Sequence, residues 1–380
     1  MSAERIPAEV FPPGDFIREE IEARGWRQED LAEILGFSLQ HVNEVITGKR
    51  SVTAKMAVSL GDAFETGAQF WMNLESANQL KKVRTQNGVV SRRAKLYSLA
   101  PIKDMVKRQW IEPSDAIDVL EKRTLDFLGI DDVAHEPQFW LHAARKPTPY
   151  HKITSAQRAW LFRAKSLART IPAKKFKQAR LEEGLEQLRT LLPSAQEVRH
   201  IAHILGEVGV RFLVIEPLPK TQIDGVCFWD DGQPVVALSF RYDRIDWFWF
   251  TLMHELGHVK NEDGLKCEGE IDTDLVGQNA FPTDKKPEVE QKADKFSSEY
   301  LIPSAKMEDW MGRIGPLYSK QKIRGFALRN QMHPGIVVGQ LQRRGIISYA
   351  QNREMLEKVR QVVTSSALTD GWGHMISANP

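Results

Sequence analysis

The stretch His254-Glu255-Leu256-Gly257-His258 sets two imidazoles and a carboxylate at a spacing with chemical meaning. Residues i and i+4 of an α-helix share a face, so His254 and His258 could grip one metal ion with Glu255 beside it. Zinc held in this way acts as a Lewis acid and brings the pKa of water toward neutrality. The neighbouring carboxylate can then take the proton as that water attacks a carbonyl. The chemistry implied is amide-bond hydrolysis. The same five residues would also fit a buried helix whose histidines are merely hydrogen-bonded. A third candidate ligand shifts the balance, because a catalytic zinc uses three protein ligands and keeps one position open. Glu290 completes that set, within Glu288-Val289-Glu290-Gln291-Lys292-Ala293-Asp294. Asp294, one helical turn further, could accept the outer N–H of a ligand histidine and fix its tautomer, or be a solvated helix carboxylate. Glu288 is a rival third ligand, but it follows Pro287 and lacks a comparable partner at i+4. Manganese, iron or cobalt would also suit two histidines and a carboxylate.

These groups need a scaffold, and the flanking sequence supplies one. Residues 247–253 are apolar and free of Pro and Gly, so the motif sits on a helix. Ahead of it come a helix to about Val208, a strand at 211–215 and a hairpin, 225–229 and 234–240, around Asp230-Asp231-Gly232-Gln233. Residues 235–239 are the candidate edge strand on which an extended peptide could align, or they simply wall the core. Past Ile347 the chain is briefly helical, and from Ser365 it reads as a loose tail. Upstream, Pro113-Ser114-Asp115 opens a helix ending near Gly129, and Thr154-Ser155-Ala156-Gln157 begins another as a capping box. Pro137, Pro147, Pro149 and Pro172 break the stretches between, so this middle region reads as helical and connective.

The first ninety residues read as short helices around one core. Residues 15–24 carry Phe16, Ile17 and Ile21 at helical spacing before Gly25. Residues 28–35 follow, with Leu31, Ala32, Ile34 and Leu35 inward, then a sharp turn at Gly36. Ser38 caps a third helix to about Thr47 with Val42, Val45 and Ile46 inward, closed by Gly48-Lys49-Arg50. Two short helices around a glycine turn, followed by a basic loop, form a helix-turn-helix. Gln40, His41, Asn43 and Glu44 face outward near the end that would enter a major groove. Gln28 and Ser38 stand at the starts of the two helices. Glutamine and asparagine can read adenine edges, while Lys49 and Arg50 suit phosphates.

The chain has 380 residues, 42% of them apolar, enough for two or three domains of ordinary globular composition. A run of about eighteen apolar residues is absent and the start lacks a signal-peptide pattern, so a cytosolic protein away from membranes is expected. Cys227 and Cys267 form no metal-spaced pair and read as reduced thiols, although Cys267, lying between the motif and Glu290, could also cap a metal. The formal charge of +2 is unevenly spread. Residues 1–90 hold 10 Lys/Arg against 13 Asp/Glu, and residues 91–200 hold 21 against 13. That basic middle is a solvated helical face or a surface for phosphates or an acidic partner.

The residues from Arg244 to His258, followed by Glu290, Ala293, Asp294, Phe296 and Leu301-Ile302-Pro303, resemble the ImmA/IrrE class of metallopeptidases. Ser297-Ser298 stand where that class usually has alanines, and Asp294 where asparagine is common. The resemblance implies His254, His258 and Glu290 as zinc ligands and Glu255 as general base. His333-Pro334-Gly335-Ile336-Val337-Val338-Gly339 is similar to a segment near the end of that class, which makes His333 a second neighbour candidate for the metal site beside Asp294. Pro13-Gly14, the run from Gly25 to Ala32, Asn43-Glu44, Gly48-Lys49-Arg50 and Phe70-Trp71-Met72-Asn73-Leu74 resemble HigA-type antitoxins of the XRE helix-turn-helix family. That likeness implies a lambda-repressor-like fold, dimeric binding to operator DNA and, in many members, a partner toxin.

The expected fold is therefore mainly α (α+β): a helix-turn-helix domain at 1–90, a helical connecting region at 91–195, a zincin-like domain with a small sheet at 196–365 and a tail at 366–380. The expected function is transcription regulation joined to a zinc-dependent endopeptidase that cuts itself, with the polar junction 85–98 as candidate cut site, or a related regulator. The alternative is an antitoxin and autorepressor whose zinc domain only binds a toxin or a signal. Retention of Glu255 beside three ligands favours catalysis, since a structural metal needs no general base.

Overall fold

The computed structural model describes residues 11–84, 88–135, 137, 153–263, 265, 271–273 and 286–376, in two compact units, Met1–Lys95 and Leu96–Pro380. Cys267 lies outside the described residues. The protein is mainly α-helical with one small mixed sheet. Among the described residues no helix is long and apolar enough to cross a membrane.

The first unit is built from α1 (Pro13–Arg24), α2 (Gln28–Leu35), α3 (Leu39–Ile46), α4 (Ala54–Phe64) and α5 (Ala68–Arg84). Gly25 and Gly36 end α1 and α2 with φ of 68° and 69°, the left-handed region that glycine enters without strain. Ser38 caps α3 by accepting from the His41 backbone N–H at 3.2 Å. A Cβ on Gly14 would strike the backbone of Ile46, so this glycine lets α1 lie directly against the end of α3. Ile17, Leu31, Val42, Met56, Leu60 and Trp71 are fully enclosed. One side chain departs from the sequence reading: Ile34 faces outward at 49% exposure, since it falls off the face shared by Leu31 and Leu35. Of the Phe70-Trp71 pair, Trp71 enters the core while Phe70 is 38% exposed.

In the second unit the sheet has the order β4-β2-β3-β1-β5-β6. Its strands are β1 (Arg211–Ile215), β2 (Ile223–Asp230), β3 (Gln233–Leu238), β4 (Ile271–Thr273), β5 (Leu368–Gly371) and β6 (His374–Ile376). β1 runs parallel to β3 and β5, and the other pairs are antiparallel. Two expectations are overturned here. The chain from 366 onward is no loose tail: β5 enters the sheet, with Leu213 opposite Leu368 and Ile215 opposite Asp370. Nor is β3 an edge, because β1 returns parallel to it after a crossover that hairpin signals cannot reveal; β4 is the edge on that side among the described residues.

Both faces of the sheet are covered, as a strand pattern without polar alternation requires. Phe212, Val214, Cys227, Val236 and Leu238 point into one core, shared with α10 (Gln178–Leu191), α11 (Ile201–Val208), α12 (Ile245–Asn261), α13 (Glu288–Leu301), α14 (Ser304–Ile314), α15 (Lys320–Arg329), α16 (Pro334–Arg343) and α17 (Arg360–Thr364). Leu213, Ile215, Val226, Phe228, Val235 and Ala237 point into the other. That second core is closed by α6 (Gly88–Leu99), α7 (Ile102–Lys107), α8 (Ile117–Leu128) and α9 (Ser155–Ala168). The middle region is therefore a structural layer rather than a connector, with Trp160 of α9 fully buried on the sheet. The junction read as a polar cut site is helical from Gly88, anchored by buried Leu96 and Leu99.

Part of the basic charge of the middle region is spent inside this layer. Arg169 grips Asp230 with two bonds of 2.9 Å, Lys165 and Arg211 approach the same carboxylate, and Arg163 pairs with Asp370. Burial works against the ionised form of Asp230, yet the Arg169 bonds and the three cations hold its pKa below the ordinary carboxylate value.

Candidate metal centre and nucleic-acid interface

Every side chain of α12 from Ile245 to Val259 is buried, which suits a helix that is apolar nearly all round. Phe248 and Phe250 alone contribute about 1.5–3 kcal/mol each by leaving water. Arg244, at the N-cap, holds Asp246 of the first turn through bonds of 3.0 and 2.7 Å. α12 lies across β2 and β3 on one side and against α13 and α16 on the others. The approach of α13 depends on Gly257: a Cβ there would stand 3.1 Å from the ring of Phe296 and 3.3 Å from the Cα of Ala293.

Across this contact three donors converge. His254 Nε2 lies 3.0 Å from Glu290 Oε2, His258 Nε2 lies 3.1 Å from His254 Nε2, and His258 Nε2 lies 3.4 Å from Glu290 Oε1. All three residues are buried, and one ligand atom from each falls within 4.8 Å of the others. Donors held about 2.0–2.1 Å from one tetrahedral zinc stand about 3.3 Å apart, so the set fits such an ion. The outer nitrogens fit it too. His254 Nδ1 meets Asp294 Oδ1 at 2.9 Å and His258 Nδ1 meets Asp263 Oδ2 at 3.0 Å. With each Nδ1–H donated to a carboxylate, both Nε2 lone pairs and the Glu290 carboxylate face one point, an arrangement that calls for a cation.

Glu288 is on the exposed side of α13, paired with Lys292 at 2.8 Å, and is not the third ligand. Asp294 is buried and accepts from three partners: His254, Lys286 at 2.9 Å and Arg343 at 2.8 Å. Burial raises its pKa, but the His254 bond and the charges of Arg343 and Lys286 outweigh that and hold it well below the carboxylate range. His333 does not join the site. Its Nδ1 accepts from the Gly335 N–H at 3.1 Å to cap α16, and its Nε2 meets Glu357 at 3.2 Å, so both nitrogens are occupied elsewhere. Proline after a histidine marks a helix start here, and capping rather than metal chemistry explains the residue.

Glu255 is fully buried against β2. A Cβ on Gly225 would fall on the Glu255 carboxylate, so β2 leaves that space open for the side chain. Sequence reasoning missed Gly225, Asp263, Lys286 and Arg343. Gly225 lies inside β2, a place where glycine marks close approach of another group, but a strand taken to begin at residue 225 hides that signal. Asp263 gave none, since it follows the helix end, beyond the left-handed Glu262.

In the first unit, α3 presents Gln40, Asn43 and, past its end, Lys49 and Arg50 on the surface, with Gln28 and His41 half-buried. Glu44 organises this face. It accepts from Gln40 Nε2 at 3.0 Å and pairs with Arg50 Nε at 2.8 Å, and these partners, Gln40 foremost, lower its pKa. His41 packs against Phe37 with ring centroids 4.9 Å apart, and the Ser38 hydroxyl is engaged as the α3 cap. The electrostatic face is thus less basic than Lys49 and Arg50 alone imply.

Family comparison agrees with both units. Residues 17–71 match the helix-turn-helix family and residues 207–315 match the IrrE N-terminal-like domain, the peptidase M78 family. The chain therefore carries an XRE-type helix-turn-helix domain joined to an IrrE-like peptidase M78 domain. Among curated proteins it is similar to virulence-associated protein I of Dichelobacter nodosus, 36% identical over 70 residues, or 18% of this chain and 65% of that one. It is also similar to the HTH-type transcriptional regulator YbaQ of Escherichia coli, 35% identical over 72 residues, or 19% and 64%. The chain thus spans just under two thirds of the length of these relatives. Among solved structures, antitoxin HigA of Pseudomonas aeruginosa with the higBA promoter is 36% identical, covering 21% of this chain and 88% of that one at a TM-score of 0.21. A HigA-family addiction module antidote protein from Coxiella burnetii is 30% identical, covering 21% and 88% at a TM-score of 0.20.

Proposed function

We propose that this chain is a DNA-binding transcription regulator whose second unit is a zinc-dependent endopeptidase, with His254, His258 and Glu290 as ligands and Glu255 as general base. The observation that carries the reading is the convergence within 4.8 Å of two Nε2 atoms from α12, the helix that also carries buried Glu255, and the Glu290 carboxylate from α13. Zinc bound there supplies a Lewis acid that acidifies water and polarises a carbonyl. Glu255, kept from solvent against Gly225, takes the proton of the attacking water and returns it to the departing amine. Asp294 and Asp263 hold the two imidazoles in the tautomer that turns Nε2 inward. The substrate is a helix-turn-helix regulator, either the chain itself or a related one; within the junction, residues from Gly88 onward are helical, and a peptidase takes extended backbone, which weighs toward a separate regulator. On the first unit, Gln40 and Asn43 read base edges while Gln28, Ser38, His41, Lys49 and Arg50 flank them, in a dimer on operator DNA.

The test compares the 380-residue chain with its Glu255→Gln variant for bound zinc and for cleavage of itself and of regulators encoded in the same genome, read by mass spectrometry. Zinc in both with cuts only in the unsubstituted chain is the expected result. Zinc in both with no cut anywhere rejects the peptidase reading, and neutralisation of a partner toxin surviving Glu255→Gln would establish the antitoxin reading in its place.

A further inference from the structure

One largely enclosed cation beside the metal centre comes from outside the two helices that carry its candidate ligands. Arg343 ends α16, outside the residues matched by the peptidase family, and only 18% of its side chain is exposed. Its guanidinium lies 3.7 Å above the ring of Phe250, one turn before His254 on α12, and bonds Asp294 Oδ2 at 2.8 Å. Burying an arginine is costly unless its charge is matched, and here the match is a carboxylate on a third helix. Lys286 takes the same oxygen, Oδ2, at 2.9 Å. The other oxygen, Oδ1, faces His254 Nδ1 at 2.9 Å.

We infer that Arg343 is a positioning residue for the metal centre: by holding Asp294 Oδ2, together with Lys286, it turns Oδ1 toward His254 and aims His254 Nε2 at the ion. Three helices then fix one imidazole. α12 supplies the histidine and the ring beneath the guanidinium, α13 supplies the carboxylate, and α16 supplies the clamp. The partner of His258 Nδ1 differs in kind: Asp263 stands on the chain turn that ends α12, and its side chain is 23% exposed. The inference rests on the proposed metal centre, and its test does not depend on catalysis.

The test is a double-mutant cycle on the full chain with Arg343→Met, Asp294→Asn and the pair. Zinc affinity is measured by competition with a chromogenic chelator, and the melting temperature of the metal-free protein is recorded alongside. Loss of an outer partner of a ligand histidine typically lowers metal affinity by about 10–100-fold. Each single variant is expected to fall in that range, while the double variant binds no more weakly than Asp294→Asn alone, since Arg343 acts through Asp294. Zinc binding by Arg343→Met equal to that of the unsubstituted chain overturns the inference. So do losses that multiply in the double variant, or a lowered melting temperature with affinity unchanged, which marks a merely structural ion pair. If Arg343→Met does not fold, Arg343→Gln is read by the same criteria. Failure of the unsubstituted chain to bind zinc would instead sink the metal centre itself.

Discussion

Gly257 sits between the two histidines, and replacing it with alanine separates helix propensity from packing. In an open helix this change stabilises by roughly 0.5–1 kcal/mol, because glycine loses more backbone freedom on folding. Gly312 of α14 provides that baseline, since a Cβ there meets nothing within 4 Å. At Gly257 the new methyl would stand 3.1 Å from Phe296 Cδ1 and 3.3 Å from Ala293 Cα, several tenths of an ångström inside ordinary contact. Phe296 can give a little; the Ala293 backbone cannot without moving α13. Overpacking of this kind costs about 1–3 kcal/mol, which exceeds the propensity gain. Gly257→Ala should therefore destabilise the metal-free protein by up to about 2 kcal/mol, while Gly312→Ala should stabilise it. Moving α13 also moves Glu290 away from the imidazoles, so zinc affinity should drop by about tenfold, the scale of a disturbed ligand shell. Urea titration gives the first quantity and chelator competition the second. Gly257→Ala that gains stability as Gly312→Ala does, with unchanged zinc affinity, would refute the argument that this glycine sets the helix spacing.

Gly225→Ala should leave zinc binding intact but reduce peptide cleavage by about a hundredfold, because the displaced group is the proposed general base rather than a proposed ligand; wild-type turnover would refute the role given to Glu255 against β2. Asp230 has its pKa lowered by Arg169 and its neighbours, so its contribution is present above the unfolded carboxylate pKa of about 3.9 and lost as pH falls below it. Asp230→Asn should lower stability at pH 7 and flatten the acid limb of a stability–pH curve, and an unchanged limb would refute the clamp on α9. On the first unit, Lys49→Ala should reduce the salt dependence of operator binding by about one phosphate contact, with Arg50→Ala having less effect because Glu44 already neutralises it. Equal changes in the salt slope would show that the Glu44 pair opens on DNA.

The candidate metal ligands were legible because their chemistry is local. Two histidines at i and i+4 announce a shared helix face, and Glu290 with Asp294 repeats that spacing on the next helix. The helix-turn-helix was legible for the same reason: Gly25, Gly36 and Ser38 end and start helices by rules confined to a few residues. Misreadings begin where one residue's role depends on a distant segment. His333 looked like a site residue because histidine is chemically versatile, but its nitrogens are claimed by Gly335 and Glu357. Arg343 carries no local signal at all: an arginine in the last turn of a helix is already accounted for by favourable interaction with the dipole.

The sheet marks the clearest boundary between what local pattern carries and what it cannot. Strands β1, β2 and β3 are mostly apolar with no polar alternation, which predicts burial on both faces but names neither covering layer. The cover on one face comes from helices more than forty residues upstream of β1, and the strand beside β1 comes from the far end of the chain. The basic composition of the middle region follows from the same arrangement. Asp230 and Asp370 lie at the strand ends beneath α9, and Arg163, Lys165 and Arg169 are spaced along that helix so as to meet them. A charge run that reads in isolation as a solvated face or a phosphate surface is here partly the inner side of a layer, holding the sheet that in turn holds Gly225 against Glu255.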